Sequence, residues 1–252
     1  MIVVTGATGQ LGRIVIEQLL TRVPAGQIIA AVRSPEKASD LSAKGIQVRH
    51  ADYSQPSTLD SAFAGADKVL LISSSEVGQR LPQHKAVIDA AKRVGVKLLA
   101  YTSVLHADAS ALGLAREHRE TEDYLRDSRL PYVLLRNGWY TENYTAGIPG
   151  ALGHGAVMGC ADEGRISSAS RLDYAEAAAV LLTSGVSVFL CSGWLGPAVR
   201  QALVLPARSG KSVSVQDRKL IHCHFPVVCR MTPVGGDVAQ PKPYQFRRGL
   251  IG

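Results

Sequence analysis

The chain has 252 residues, 46% of them apolar and 19% charged, which suits one large α/β domain or two small domains and is too apolar for a disordered chain. The 24 glycines are too few for a collagen repeat, and no apolar run approaches the roughly 18 residues of a membrane span. The net charge of +7 lies wholly in residues 185–252, because residues 1–184 carry 19 basic and 19 acidic side chains, and that balance argues against a nucleic-acid partner.

Residues 2–5 read as a short apolar strand that follows Met1 directly, so no secretory signal is expected. Residues 11–22 have helical spacing, with Leu11, Val15 and Leu19 on one face. A strand at 27–32 and a helix at 36–44 follow, and Gly45 suits the end of that helix. Next come a strand at 48–50 and a helix at 57–64 stopped by Gly65. A strand at 68–72 and a helix at 81–94 stopped by Gly95 continue the alternation. A strand at 97–102, a charged helix at 115–126, a strand at 132–136 and an Ala-rich helix at 173–183 complete it. Strands joined through helices by short Gly-punctuated links predict a parallel sheet with crossover helices. The fold class is α/β, a Rossmann-type doubly wound parallel sheet, followed by a small C-terminal region.

Between the first strand and helix stand Gly6, Ala7, Thr8, Gly9, Gln10, Leu11 and Gly12, with GxxGxxG spacing. Each glycine has a physical use: Gly6 for the tight turn, Gly9 for close approach to a pyrophosphate, Gly12 for packing the helix on the sheet. The phosphates would meet free N–H groups at the helix N-terminus. The second strand ends in Arg33 with no carboxylate to hold a ribose 2′-hydroxyl, and a guanidinium there suits a 2′-phosphate. NADPH is therefore the expected cofactor. Asp52 and Tyr53 end the third strand, where a carboxylate can accept from an adenine amino group and a ring can cover it; Asp52 equally suits the cap of a turn.

These segments, with residues 70–79 (LLISSSEVGQ), 101–107 (YTSVLHA) and 134–143 (LLRNGWYTEN), together resemble the NmrA-like atypical short-chain dehydrogenases, in the branch of the NADPH:quinone oxidoreductases and triphenylmethane-dye reductases. The resemblance runs from residue 1 to about 184. It implies a Rossmann domain that holds NADPH and a small C-terminal domain that completes a cleft for a planar, quinone-like acceptor. It also implies cofactor contacts from Ser73, Ser74 and Ser75, from Asn137, Gly138, Trp139, Tyr140, Thr141 and Glu142, and from Arg171. The first two groups lie at C-terminal ends of strands, where parallel sheets bind ligands. A cytoplasmic protein is expected, with free thiols at Cys160, Cys191, Cys223 and Cys229, and a homodimer is compatible with the reading.

The chain lacks the Tyr-x-x-x-Lys pair of the larger short-chain dehydrogenase group. On the corresponding helix Leu114-x-x-x-His118 puts His118 in the lysine-like place. His118 is the candidate proton donor, against a plainer reading as a partly exposed helix residue beside Glu117 and Glu120; His84 and His106 read as surface or loop residues. Hydride transfer to an electron-poor quinone needs proximity more than a proton-transfer pair, so this absence favours quinones and dyes over alcohols. An alternative is a non-catalytic regulatory protein that senses NADP(H).

Residues 185–252 break the pattern. They hold six of the 12 Pro, three of the four Cys and no Glu. Residues 186–191 suit a strand, but Pro197, Pro206, Pro226, Pro233, Pro241 and Pro243 then interrupt any helix. Likeness to the family is lost after residue 184, returns at 209–216 and is lost again, as shifts of reading frame would leave it. The expected division is an NAD(P)-binding domain with part of the substrate cleft at 1–184 and an aberrant region at 185–252. No metal site is expected, His222, Cys223, His224 and Cys229 included.

Overall fold

The computed structural model describes residues 1–156 and 167–184. The expectations for residues 185–252, and for Cys160, lie outside them. Six strands form one parallel sheet: β1 (Ile2–Thr5), β2 (Ile28–Val32), β3 (Gln47–His50), β4 (Lys68–Leu71), β5 (Leu98–Val104) and β6 (Tyr132–Asn137). Their order is β3-β2-β1-β4-β5-β6, so the chain reverses direction across the sheet at β1, between β2 and β4. In such sheets the crevice beyond that reversal, at the C-terminal ends of the strands, is the place for a ligand.

The unbroken apolar strands serve two cores by turns. In β1, Val4 faces one core and Val3 the other; Ala30 and Ile29, Leu70 and Leu71, Ala100 and Leu99 divide in the same way. One core is closed by α1 (Gln10–Leu20) and α8 (Arg171–Thr183), through Leu11, Val15, Ile16 and Leu19 against Ala175, Ala178, Ala179 and Leu182. The other is closed by α3 (Leu59–Phe63), α4 (Arg80–Arg93) and α5 (Gly113–Ser128), through Leu59, Phe63, Val87, Ile88 and Leu125. Each fully buried Leu, Ile or Phe contributes about 1.5–3 kcal/mol.

Several elements differ from the sequence expectation. The helices expected at 36–44 and 57–64 each begin as a 3₁₀ turn, Pro35–Ala38 and Pro56–Thr58, before a short α2 (Ser39–Ala43) and α3. Proline fits the first turn of a helix but supplies no N–H to what precedes it. α8 starts two residues before the expected Asp173, because Ser170 and Asp173 form a reciprocal capping box. At its other end, Lys68 Nζ donates to the carbonyls of Leu182 and Ser184 at 2.7 and 2.8 Å. Four elements were not expected: β7 (Trp139–Tyr140), α6 (Glu142–Thr145), α7 (Ile148–His154) and β8 (Ser168–Ala169), with β7 and β8 paired in parallel as a second, two-stranded sheet. Pairs of two-residue strands leave no periodic pattern, and Pro149, Gly150 and Gly153 disguise α7.

Candidate functional site

The turn out of β1 is built on glycine. Gly6 has φ of +58°, a left-handed conformation that favours glycine, and its carbonyl accepts from Gly9 N–H at 2.9 Å. A Cβ at Gly12 would stand 2.3 Å from Gly6 O and 2.8 Å from Ala7 Cα, so this glycine lets α1 lie against the turn. A Cβ at Gly9 would meet Gly6 O at 3.1 Å, a tight but accommodable contact. Gly9 is the N-cap of α1 and supplies no side-chain cap, and the first turn holds no acidic residue. The helix therefore presents its first amides and partial positive charge to the space beside the turn. Ala7, Leu11 and Gly12 are buried and serve through backbone and packing.

A groove of about 290 Å³ opens there, lined by Gly6, Thr8, Gly9, Arg33, Asp52, Tyr53, Ser73, Ser74 and Ser75, together with Ala51, Ile72, Glu76 and Gln83. Four successive strand ends thus converge on one groove. The Tyr53 hydroxyl donates to Ile72 O at 2.9 Å and also contacts Thr5 Oγ1, and burial raises its pKa. Asp52 Oδ1 accepts from Ser54 N–H at 2.9 Å, the turn-capping arrangement, while the residue still lines the groove. Arg33 is largely exposed, and its Nη1 lies 3.0 Å from Glu76 Oε1. No carboxylate stands at the end of β2 itself, at residues 31–34, yet one reaches Arg33 from the loop after β4.

The wall at residues 73–75 is held from behind. Ser73 N–H donates to Thr102 Oγ1 and Ser74 N–H to His84 Nε2, each at 2.9 Å. His84 Nε2 is thereby an acceptor, so Nδ1 carries the proton that meets Thr121 Oγ1 at 3.0 Å. Arg80 adds a bond from Nε to Ser74 O at 2.7 Å and an ion pair to Glu117, also at 2.7 Å, with both side chains mostly buried. The expectation of a surface His84 is corrected: it is fully buried. Burial first, then the neighbouring His118 and Arg80 charges, bring its pKa down to about 3. His106 does lie in an exposed turn.

The partly exposed setting expected for His118 is also corrected. Its ring is 5% exposed, Nδ1 is 2.6 Å from Tyr101 Oη, and burial lowers its pKa to about 4. It lines neither hollow of the site. The helical pattern gave position but not the facing strand residue, Tyr101, that takes it inward.

A second hollow, of about 480 Å³, is lined by Gln10 from the glycine turn, by Glu142, Asn143, Thr145 and Ala146, and by Arg171. The Arg171 guanidinium stacks over the Tyr140 ring at 4.7 Å and donates to Asn143 Oδ1 at 3.1 Å. Its backbone N–H donates to Glu142 Oε1 at 2.8 Å. The β7–β8 pairing and a Thr141 to Ser168 hydroxyl bond of 3.0 Å bring these distant segments together. Asn137, Gly138, Trp139, Tyr140 and Thr141 line neither hollow but frame the second: Asn137 Nδ2 donates to Tyr140 Oη at 3.1 Å and Gly138 N–H to Tyr174 Oη at 3.0 Å. Trp139 is half exposed. Between β6 and α5, Glu122, 3% exposed, accepts from Arg136 at 3.0 and 2.6 Å and from Ser103 at 2.5 Å.

Comparison with known proteins places this geometry. A family model described as NAD(P)H-binding matches residues 6–184. The chain is 55% identical over 221 residues to quinone oxidoreductase 2 of Escherichia coli, covering 86% of this chain and 77% of that protein. That share exceeds the first 184 residues, so the likeness extends somewhat past them. It is 31% identical to an NmrA-like family oxidoreductase of Aspergillus flavus, over 72% of this chain and 61% of that one. Among solved structures, the NADPH complex of the Escherichia coli NADPH-dependent quinone oxidoreductase matches with a TM-score of 0.72 and 60% identity, over 74% of this chain and 66% of that one. The NADP(H) complex of a Citrobacter triphenylmethane reductase matches with a TM-score of 0.73 and 44% identity, over 75% and 68%. The six-stranded parallel sheet, its glycine turn and these matches agree: the chain belongs to the NAD(P)H-binding family.

Proposed function

We propose that the protein is an NADPH-dependent oxidoreductase that reduces quinones. The observation that carries the reading is the Arg33 guanidinium in the same groove as the glycine turn. The residues fit the cofactor: Gly9 lines the groove with no side chain to stand between a phosphate and the turn, and the uncapped α1 amides complement its charge. Arg33 would pair with the 2′-phosphate, Asp52, Tyr53 and the serine wall would hold the adenosine half, and Gln10, Asn143 and Arg171 would flank the reacting half. Trp139 and Tyr140 supply ring faces beside it for a planar acceptor. The names of the Escherichia coli and Citrobacter relatives, a quinone oxidoreductase and a dye reductase, support such an acceptor.

Bound NADPH supplies a hydride, which with one proton converts a quinone to a hydroquinone. The chain's own part is to hold the two rings together and exclude competing geometry. Neutral His118, hydrogen-bonded inside the core, is not needed for this step, and solvent supplies the proton. Residues 1–184 would form the cofactor domain with part of the cleft. A cytoplasmic setting suits an enzyme that draws on the cellular NADPH pool.

The test follows loss of reduced-cofactor absorbance with a simple benzoquinone, NADPH beside NADH, on the full chain. Turnover with clear preference for NADPH is expected. Tight NADPH binding with no turnover of quinones or dyes would instead favour a sensor of NADP(H).

A further inference from the structure

Arg33 follows β2 and Glu76 lies on the loop after β4, with β1 between those strands in the sheet. Their ion pair of 3.0 Å therefore spans two strand spacings, about 10 Å, across the groove that opens from the glycine turn. Glu76 is not a freely swinging surface charge. Its Oε2 accepts from Gln83 Nε2 at 2.7 Å, and Gln83 is 6% exposed and also donates to Ser54 Oγ at 3.0 Å. Its backbone N–H donates to Ser74 Oγ at 3.1 Å. A buried amide and the serine wall thus aim one carboxylate at the one guanidinium that ends β2.

We propose that the Glu76 carboxylate is an internal competitor for the 2′-phosphate, occupying Arg33 when the groove is empty and yielding it when the cofactor enters. The inference rests on the reading of Arg33 given above. A phosphate brings more charge and three acceptor oxygens, so it displaces a carboxylate from a guanidinium. The carboxylate keeps Arg33 poised over the groove, lowers affinity for the phosphorylated cofactor, and recaptures Arg33 when the cofactor leaves. A cofactor without the 2′-phosphate has nothing with which to displace it.

The experiment measures dissociation constants of the full chain for adenosine 2′,5′-bisphosphate and for ADP, and for NADPH and NADH, by calorimetry. In Glu76→Gln, affinity for both 2′-phosphorylated ligands is expected to rise about three- to five-fold, the upper part of the range of an exposed ion pair, with less than two-fold change for ADP and NADH. NADPH dissociation should slow by a similar factor in stopped flow. In Arg33→Met, preference for the 2′-phosphate should disappear, and adding Glu76→Gln should then change nothing. Weaker binding in Glu76→Gln, or an equal gain for all four ligands, overturns the competitor. If Arg33→Met abolishes the preference but Glu76→Gln has no effect, the competitor fails and the cofactor reading stands. If Arg33→Met leaves the preference intact, the cofactor reading itself fails.

Discussion

The two hollows of the site are built in different ways. The groove takes its lining from the segments that follow four successive strands of one sheet, with Gln83 added from α4. The second hollow gathers Gln10, Glu142, Asn143, Thr145, Ala146 and Arg171, and is held by a two-residue strand pair and a few side-chain bonds. The groove is therefore a property of the sheet, and the second hollow a property of particular polar contacts. The two should break under different perturbations.

The largest expected effect falls outside both hollows, where β6 meets α5. Arg136→Met leaves Glu122, 3% exposed, without its guanidinium. Breaking a buried pair on one side costs about 3–5 kcal/mol. Urea denaturation should show that loss, and a change under about 1 kcal/mol would mean that water or Ser103 alone satisfies the carboxylate.

Acid should act on the groove side instead. His84 and His118 have pKa values of about 3 and about 4 in the fold, below the ordinary 6.5 of an unfolded histidine. Below pH 6.5 the unfolded chain takes up protons that the native histidines refuse, so stability present above 6.5 is lost as pH falls toward those values. Between pH 6.5 and 5 each site contributes about 1.6 kcal/mol of loss, about 3 together. Denaturation at the two pH values checks this, and His84→Gln should flatten the dependence. A dependence unchanged by that substitution would assign it to other groups.

The groove itself separates fold from binding at two glycines. Gly12→Val drives a side chain into Gly6 O and the Ala7 backbone and should destabilise by about 3 kcal/mol, because backbone cannot yield as a side-chain end can. Gly9→Val meets one backbone atom, Gly6 O at 3.1 Å, which a shift of a few tenths of an ångström relieves, so the fold should survive while NADPH binding is lost. Equal melting temperatures for the two variants, or wild-type NADPH affinity in Gly9→Val, would contradict this division.

The same contrast explains what could be read in advance. The glycine turn, the strands and most helices were legible because their signals are local: a turn, a period, a stopping glycine. Arg33 was legible as a position but not as a pair, since Glu76 lies 43 residues away. The inward turn of His84 and His118 depends on Ser74, Thr121 and Tyr101, which only the packed fold brings to them. β7 and β8 are too short to show a period, so the second hollow could be approached only through a family likeness.

The smallest expected effect tests whether that second hollow depends on single contacts. Ser170 caps α8 by accepting from Asp173 N–H at 3.2 Å, while Asp173 accepts from Ser170 N–H at 2.9 Å. Ser170→Ala removes one half of the box and should cost about 1 kcal/mol. Arg171 is the first residue of that helix, and its backbone bond to Glu142 lies beside the cap. Fraying there would loosen the wall of the second hollow while leaving the groove, some distance along the chain from α8, as it was. Affinity for adenosine 2′,5′-bisphosphate should therefore hold, and affinity for whole NADPH should fall by a few-fold. A parallel loss for both ligands would show that the two hollows respond as one body, and that the second is no less a property of the sheet than the first.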